Sequence, residues 1–361
     1  MICYEGIFIR DHLDAVSSLP WWYQYSPNIE EQLAWRGQVM AAIDQDWFRL
    51  PLSYSSEERR HFRIESSREG TFLVDTRNGS RRRLEKPAVG GWTATNGVES
   101  VRPEEYPQNE ADVDELIPVS EDADAAGLVY SGKGELAHRL LALHGDRLFP
   151  TYSVGSPFWQ CYQIWGFEGM MLAAATQPDL IRYACERYLR QQLAEVEVAA
   201  MLGAQGIWIE ECLADLLSPL QFAALSLPYV RRLVEAIRSR GMKSIYYYCG
   251  NPQGKWDHLL EAGADALSFE EAKKGFVIDI ERVAELLDGR CVLFGNLDAI
   301  GVLERGSDAE LEAAISRQLA AGRKNRDRFV MSIGSPVTPG TPPERVREFC
   351  RLTRELARAV P

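Results

Sequence analysis

The second half of the chain alternates between short apolar runs and longer amphipathic segments, and this alternation constrains the fold more than any other feature. The apolar runs lack polar alternation, which is typical of parallel strands buried on both faces. The intervening segments carry apolar residues at three- and four-residue spacing, which predicts helices. Repeated strand–helix units indicate a parallel sheet. The predicted strands lie in GAQGIWIEE, MKSIYYYCG, ADALSFEE, CVLFGNLD and RFVMSIGS.

Four further runs in the first half are candidate strands. They are PWWYQY (20–25), DWFRLP (46–51), GLVYS (127–131) and LFPTYSVG (148–155). Eight strands close a barrel of this type, so at least one of the nine candidates must lie outside it. Neither a GxGxxG nor a GxxxxGK[ST] phosphate loop follows any candidate strand. We therefore expect a (β/α)8 TIM-type barrel rather than an open doubly wound sheet.

One region of the first third has a different pattern. Between about residues 60 and 100, polar and apolar residues alternate around turn signals, and Arg77-Asn78-Gly79 is a strong hairpin signal. This predicts an antiparallel hairpin inserted into a single barrel domain that spans residues 1–361. The acidic, proline-containing stretch at residues 101–125 is expected to lie on the surface.

Composition excludes several classes of partner. The 361 residues carry a formal net charge of −12, which argues against nucleic acid or an anionic membrane as the partner. No apolar run reaches the roughly 18 residues of a membrane-spanning helix. The seven cysteines are odd in number, widely spaced and without a CxxC pair, which predicts reduced thiols and a cytoplasmic protein. A small-molecule substrate is the expected partner.

Reactive groups in barrels of this type lie at the carboxyl ends of the strands. The predicted strand ends carry carboxylates and thiols, with no histidine and few cations. Each group also has a structural interpretation: the glutamates could cap helices, the asparagine and aspartate could bond loop backbone, and a cysteine is more often a small buried residue. The candidates are Glu210, Glu211, Cys212, Cys249, Glu270, Glu271, Asn296, Asp298 and Ser335.

Several motifs occur together in a familiar order. They are LLSPLQFAALSLPYVRRLVEAI, YYYCGN, GADALSFEE, FGNLD and SIGSPVTPGTPPERV. From about residue 148 to the end, the chain resembles the uroporphyrinogen decarboxylase superfamily. That group includes the decarboxylase and the methylcobamide:coenzyme M methyltransferases, and it is more distantly similar to cobalamin-independent methionine synthase. The resemblance implies a TIM-type barrel and an enzyme.

The chain differs from the porphyrin decarboxylase that it resembles at two positions. The family's arginine-rich first-strand segment matches LPWWYQYSPNIEEQ here, with Tyr25 in place of the first arginine. The family's histidine after the last strand matches Ser335. A substrate with many carboxylates needs several cations, and this ring offers few. The resemblance therefore does not favour decarboxylation of a porphyrin precursor.

The resemblance to the methyltransferases concerns a zinc site. Their ligands, with a glutamate taken from the similar methionine synthase, match Tyr247, Cys249, Glu270 and Ser335. Two of these four, Cys249 and Glu270, are residue types that bind zinc, whereas a stable site needs three or four ligands. Neighbouring strands lie about 4.8 Å apart, so Cys212 could join Cys249 and Glu270 in a rearranged zinc site.

Three functional hypotheses follow from these features. The first is a corrinoid-linked methyltransferase acting on a small substrate, with zinc and a corrinoid as candidate cofactors and a corrinoid protein as a candidate partner. The second is a carboxy-lyase, which needs Arg36, Arg49 or Lys273 to hold the leaving carboxylate. The third is a non-catalytic barrel that binds a corrinoid or a tetrapyrrole.

The residues divide between two predicted roles. Acidic and polar groups at strand ends would serve catalysis, by acid–base chemistry, ligation or hydrogen bonding: Glu210, Glu211, Tyr247, Glu270, Asn296 and Asp298. Aromatic residues suit a flat apolar ligand or a methylated ammonium group. The predicted substrate contacts are Trp22, Tyr25, Phe158, Trp159, Tyr162 and Ser335.

Overall fold

A curled parallel sheet forms the centre of the molecule, with helices packed around it. The computed structural model describes residues 1–90, 101–120, 124–271 and 275–359. The strands are β1 (Trp47–Arg49), β2 (Phe62–Ser67), β3 (Gly70–Asp75), β4 (Arg81–Leu84), β5 (Phe149–Gly155), β6 (Gly206–Glu211), β7 (Lys243–Tyr248), β8 (Ala266–Phe269), β9 (Val292–Phe294) and β10 (Phe329–Val330). Seven of them form the parallel sheet, in the order β1-β5-β6-β7-β8-β9-β10.

The helices follow the alternation that the sequence predicts. They are α1 (Glu5–Asp11), α2 (Leu13–Val16), α3 (Ile29–Ile43), α4 (Ser56–His61), α5 (Glu110–Leu116), α6 (Ala125–Leu128), α7 (Glu135–His144), α8 (Pro157–Gln160), α9 (Tyr162–Thr176), α10 (Pro178–Leu202), α11 (Pro219–Leu225), α12 (Leu227–Ser239), α13 (Trp256–Glu261), α14 (Ile280–Leu287), α15 (Asp308–Lys324) and α16 (Pro343–Ala359). No helix in these described ranges is both long and apolar enough to cross a membrane.

The first three residues of the chain extend the sheet beyond its last strand. The amino group of Met1 donates to the carbonyl of Met331 at 3.0 Å, and the Ile333 amide donates back to Met1 at 3.2 Å. Cys3 then pairs with Pro336 in the parallel direction. We call residues 1–3 the opening segment. Together with the seven strands it provides the eight positions of a TIM-type fold, which confirms the expected fold class.

Two predicted strands are wrong. Residues 20–25 form a 3₁₀ helix, Trp21–Tyr25, and none of its side chains is fully buried. Without burial, the β propensity of its aromatic residues does not decide the conformation. Residues 127–131 instead continue α6 into a π-helical turn, Val129–Lys133. The carboxylate of Asp124 caps that helix by accepting from the Gly127 amide at 2.7 Å.

The antiparallel insertion is confirmed and has one strand more than a hairpin. Strands β2, β3 and β4 form a separate sheet in that order. The predicted turn at residues 77–79 joins β3 to β4, and Gly79 has a φ of 71° there. Residues 91–100, the end of the predicted insertion, lie outside the described residues.

Strand alternation separates an inner core from an outer one. In β7, Tyr247 points into the barrel, where its ring stacks on Trp208 at 5.1 Å between centroids. Its neighbours Tyr246 and Tyr248 belong to the outer core that the helices cover. The three consecutive tyrosines therefore serve two different layers, and one of them faces the interior.

Candidate functional site

A polar cluster lies where the opening segment meets the end of β6. The Tyr4 hydroxyl donates to Glu210 Oε1 at 2.7 Å and lies 3.4 Å from Cys212 Sγ. The Cys212 thiol donates to the same carboxylate oxygen at 3.6 Å. These three side chains, with Cys249, form what we call the mouth cluster.

Tyr4 is absent from the predicted site because the first strand was expected near residue 20. It follows the opening segment directly and has a φ of 52°, a left-handed conformation that is uncommon for a residue other than glycine. The short apolar run at residues 1–3 is the signal that could have located it.

The register of β6 and β7 places Cys249 beside this cluster. Glu211 pairs with Tyr248, and the Cys249 amide donates to the Glu211 carbonyl at 2.8 Å. Gly250 follows with a φ of 103°, and a Cβ there would lie 2.3 Å from the carboxyl carbon of Asp215. The chain therefore turns away immediately after Cys249, as a glycine permits.

Burial dominates the electrostatics of the mouth cluster. It raises the pKa of Glu210, although hydrogen bonds from Tyr4 and Cys212 and the charge of Arg49 oppose it. The neighbouring thiol of Cys249 and burial together hold the pKa of Cys212 well above its usual value. A carboxyl group with a raised pKa keeps its proton to a higher pH than an ordinary carboxyl group, which favours a role as a general acid.

Glu211 faces the opposite side of the sheet from Glu210. Its carboxylate accepts from Ser156 Oγ at 2.7 Å, from Tyr246 at 3.1 Å and from Ser226. Ser156 and Ser226 precede α8 and α12, so the carboxyl group ties the sheet to two helices. Burial raises the pKa of Glu211 to about 7. Its contacts are those of a buried structural group.

Three other predicted catalytic residues also bond within the protein. The Asn296 amide donates to the carbonyls of Glu270 and Ile278, each at 3.1 Å, and accepts from Gln318 at 3.2 Å. The Asp298 carboxylate caps the following helical turn through two backbone amides at 2.9 Å. Glu270 is buried at the end of β8. The loop-bonding interpretation thus describes Asn296 and Asp298 well.

Most of the predicted substrate contacts lie in packed surroundings. Phe158 is fully buried, and Trp159 stacks on Tyr162 with ring centroids 5.0 Å apart. Ser335 is buried and donates its hydroxyl to Glu271. Trp22 lines a groove beside the antiparallel sheet.

Tyr25 lines a cleft beside the carboxyl end of β1. The cleft has a volume of about 500 Å³, within the range of small-molecule sites. Its polar lining comes from α1, from the 3₁₀ helix, from α3 and from the end of β1. The polar and charged residues are Glu5, Arg10, Gln24, Tyr25, Arg36 and Arg49.

Two arginines supply the positive charge of this cleft. Arg49 ends β1 and lines the cleft. Its charge opposes the burial that raises the pKa of Glu5 and of Glu210. Arg36 Nε is buried and has no hydrogen-bond partner. Across the described ranges, neither arginine has a carboxylate within the 4.0 Å of an ion pair. Lys273, the third predicted cation, lies outside the described residues.

The donor set at the mouth does not fit a zinc ion. Among the described residues, no three His, Cys, Asp or Glu side chains are arranged to hold a metal, so Cys212, Cys249 and Glu270 do not form a three-ligand site. The Cys212 thiol is engaged with Glu210 and has a raised pKa, whereas zinc binds thiolates. Tyr247, at a family ligand position, donates to the Gly334 carbonyl at 3.3 Å.

Comparison with known proteins gives a consistent family match. The model of the uroporphyrinogen decarboxylase family matches residues 96–356. The chloroplastic uroporphyrinogen decarboxylase 2 of Arabidopsis thaliana is 26% identical over 210 residues, which cover 56% of this chain and 51% of that protein. The uroporphyrinogen decarboxylase of Thermodesulfovibrio yellowstonii is 28% identical over 178 residues, covering 49% and 47%. The chain thus spans about half the length of these curated relatives.

A solved structure supports the fold independently. A methyltransferase from Methanosarcina mazei superposes with a TM-score of 0.64 at 17% identity, over 97% of this chain and 90% of the other. At this identity the similarity establishes a shared fold and nothing about the reaction.

Proposed function

The chain belongs to the uroporphyrinogen decarboxylase family, and from this premise we propose that it is a carboxy-lyase for a small organic acid. The observation that carries the proposal is the pair of arginines, Arg36 and Arg49, that line the cleft without an ion pair in the described part of the chain, where Glu5 is the one acidic residue of the lining. An arginine binds a carboxylate through two parallel hydrogen bonds. The cleft therefore suits an anionic substrate with one or two carboxylates.

The mouth cluster supplies the proton that such a reaction needs. When the carbon–carboxylate bond breaks, carbon dioxide leaves and the electron pair remains on the substrate carbon, which must then be protonated. Glu210 lies close enough to Arg49 for that charge to affect its pKa, and burial favours its protonated form. We assign Glu210 as the acid, with Tyr4 holding its carboxyl group at 2.7 Å. The substrate must itself delocalise the electron pair, as an aromatic or β-keto acid does.

The test is release of carbon dioxide from a panel of small aromatic and β-keto acids with one or two carboxylates. We expect Arg49→Ala to lower kcat/KM by about 100-fold or more, because a charge-assisted bidentate contact is lost. Arg351→Ala is the matched control, since Arg351 is an exposed arginine paired with Glu348 and Glu355 on α16. If Arg36→Ala and Arg49→Ala together leave turnover unchanged, the proposal is wrong.

Corrinoid-linked methyl transfer is the second candidate, and the partly exposed thiol of Cys249 favours it. A corrinoid supplies a methyl group bound to cobalt. It is too large for a cleft of about 500 Å³, so a partner corrinoid protein would have to present it at the open rim. Loss of the methylcobalamin absorbance on mixing with small thiols, absent in Cys249→Ser, would establish this reaction. Tight corrinoid binding with neither reaction would instead indicate a non-catalytic barrel.

A further inference from the structure

Two cysteines lie side by side at the ends of neighbouring strands. Cys212 and Cys249 each follow the last paired residues of β6 and β7, Glu211 and Tyr248. The ladder continues to them, because the Cys249 amide donates to the Glu211 carbonyl at 2.8 Å. Directly opposed residues on parallel strands lie about 4.8 Å apart, which is within the Cα separation of roughly 4.4–6.8 Å that a disulfide spans.

Both side chains point to the same side of the sheet. Side chains alternate along a strand, so Cys212 shares the face of Glu210, and Cys249 shares the face of Tyr247. Tyr247 belongs to the inner core, and the Cys212 thiol contacts Tyr4 and Glu210. The two thiols therefore face each other at the mouth of the barrel.

Access to solvent distinguishes Cys249 from the other thiols. All seven cysteines lie in described residues, and Cys249 is partly exposed while the other six are buried. A dissolved oxidant would thus reach Cys249 first. Cys212, behind it, has the Glu210 carboxylate within 3.6 Å to accept its proton.

We propose that Cys212 and Cys249 are a redox-active pair that a small peroxide oxidises to a reversible disulfide at the mouth. Cys249 sulfur attacks the peroxide, the oxygen–oxygen bond breaks, and a sulfenic acid and one water form. Cys212 then passes its proton to Glu210, and its sulfur attacks the sulfenic sulfur. As the sulfur–sulfur bond forms, the sulfur–oxygen bond breaks, and the departing hydroxide takes the proton from Glu210 and leaves as a second water. Two thiols are oxidised and one peroxide is reduced. This property goes beyond the proposed lyase reaction and does not depend on it.

The chain provides an internal control for this chemistry. Cys161 and Cys185 lie with their sulfur atoms 3.8 Å apart, but both are fully buried. If sulfur proximity alone decided oxidation, this second pair would react as well. If access and strand register decide it, the mouth pair reacts and the buried pair does not.

The experiment is mild hydrogen peroxide treatment of the intact, folded protein, followed by mass spectrometry and thiol titration. We expect a loss of about 2 Da and of two thiols, reversed by dithiothreitol, with one peptide cross-link between Cys212 and Cys249. Cys161→Ser should behave like the native chain. Cys212→Ser should instead gain about 16 Da at Cys249, because the sulfenic acid finds no resolving thiol.

Two results would overturn the proposal. One is a cross-link between Cys161 and Cys185 that forms before any other. The other is oxygen uptake at Cys249 in the native chain without a bond to Cys212. Far-UV circular dichroism of each variant tests whether the fold is intact, so that a missing cross-link in a folded variant reports on the chemistry rather than on unfolding.

Discussion

Glu210 and Glu211 are adjacent in the chain and have opposite surroundings. Glu210 faces the barrel interior, where it meets Tyr4 and Cys212 at the partly open mouth. Glu211 faces the helices and is fully enclosed. Both have a raised pKa with burial as the main cause. Because side chains alternate along β6, Glu210 lies on the inner face, where a ligand can reach it, and Glu211 lies on the outer face, where it connects the sheet to the helices.

The comparison shows that a perturbed pKa does not by itself identify a catalytic residue. Glu211 has its pKa raised to about 7, a value usually associated with acid–base catalysis. Yet three hydroxyl groups, on Ser156, Ser226 and Tyr246, occupy its oxygens. What distinguishes Glu210 is its position on the inner face of the sheet, in contact with Tyr4 and Cys212. The predictions below test this separation of roles.

The largest effect should come from removing the enclosed carboxyl group. Glu211→Ala leaves three buried hydroxyl groups without their acceptor and opens a cavity, so we expect a loss of about 3–5 kcal/mol in unfolding free energy. Urea denaturation at pH 6 measures it. Glu210→Ala is the matched control and should cost about 1 kcal/mol, because water can reach the mouth. Equal losses of unfolding free energy in the two variants would show that Glu210 and Glu211 contribute equally to stability, which contradicts the separation of their roles.

The pH dependence of stability should follow Glu211. Its pKa is about 7 in the folded protein against 4.5 for the ordinary group, so between these values the folded state holds a proton that the unfolded state has released. Stability should therefore fall as the pH rises through this window, by about 3 kcal/mol in total. Glu211→Gln should remove this slope, as urea titrations at several pH values would show. A slope that survives in the variant must come from other groups.

The smallest effect on stability should come from removing the hydrogen bond between Tyr4 and Glu210. Tyr4→Phe removes a hydrogen bond that lowers the pKa of Glu210, so that pKa should rise and stability should drop by about 1 kcal/mol. Carbon-13 NMR of labelled glutamate would follow the titration. Tyr246→Phe removes the equivalent bond to Glu211 and should shift that residue alone. A shift of Glu210 in Tyr246→Phe would contradict the separation of the two faces.

The sequence predicts the second half of the fold well for a physical reason. Its central strands β6, β7 and β8 are short apolar runs buried on both faces, so the strand propensity of their residues and the burial of their side chains favour the same conformation. The first half lacks this agreement. The opening segment is too short to show a pattern, and its partner, Pro336, lies at the other end of the chain. Aromatic residues at 20–25 have the propensity of a strand without the burial.

The site is predictable in part by the same logic. Parallel strands bring their carboxyl ends to one edge of the sheet. Candidates taken from the predicted strand ends therefore include Glu210, Cys212 and Cys249. The same prediction did not assign Glu210 and Glu211 to opposite faces of the sheet, although the alternation of side chains along a strand implies it. Tyr4 could be predicted only if the opening segment was recognised as part of the sheet. The sequence alone did not determine which of the candidate cations, Arg36, Arg49 or Lys273, lies near the site.

The pairing of the opening segment also sets the order in which the molecule can be completed. Met1 bonds to Met331 across a sequence separation of 330 residues. On the ribosome the ring therefore stays open until nearly the whole chain has emerged. Until then the partners of the opening segment, around Met331 and Pro336, have not been synthesised. Contacts between residues so distant in sequence also form slowly. Closure should be a late step of folding, and the mouth cluster, which includes Tyr4, should be assembled only when that step is complete.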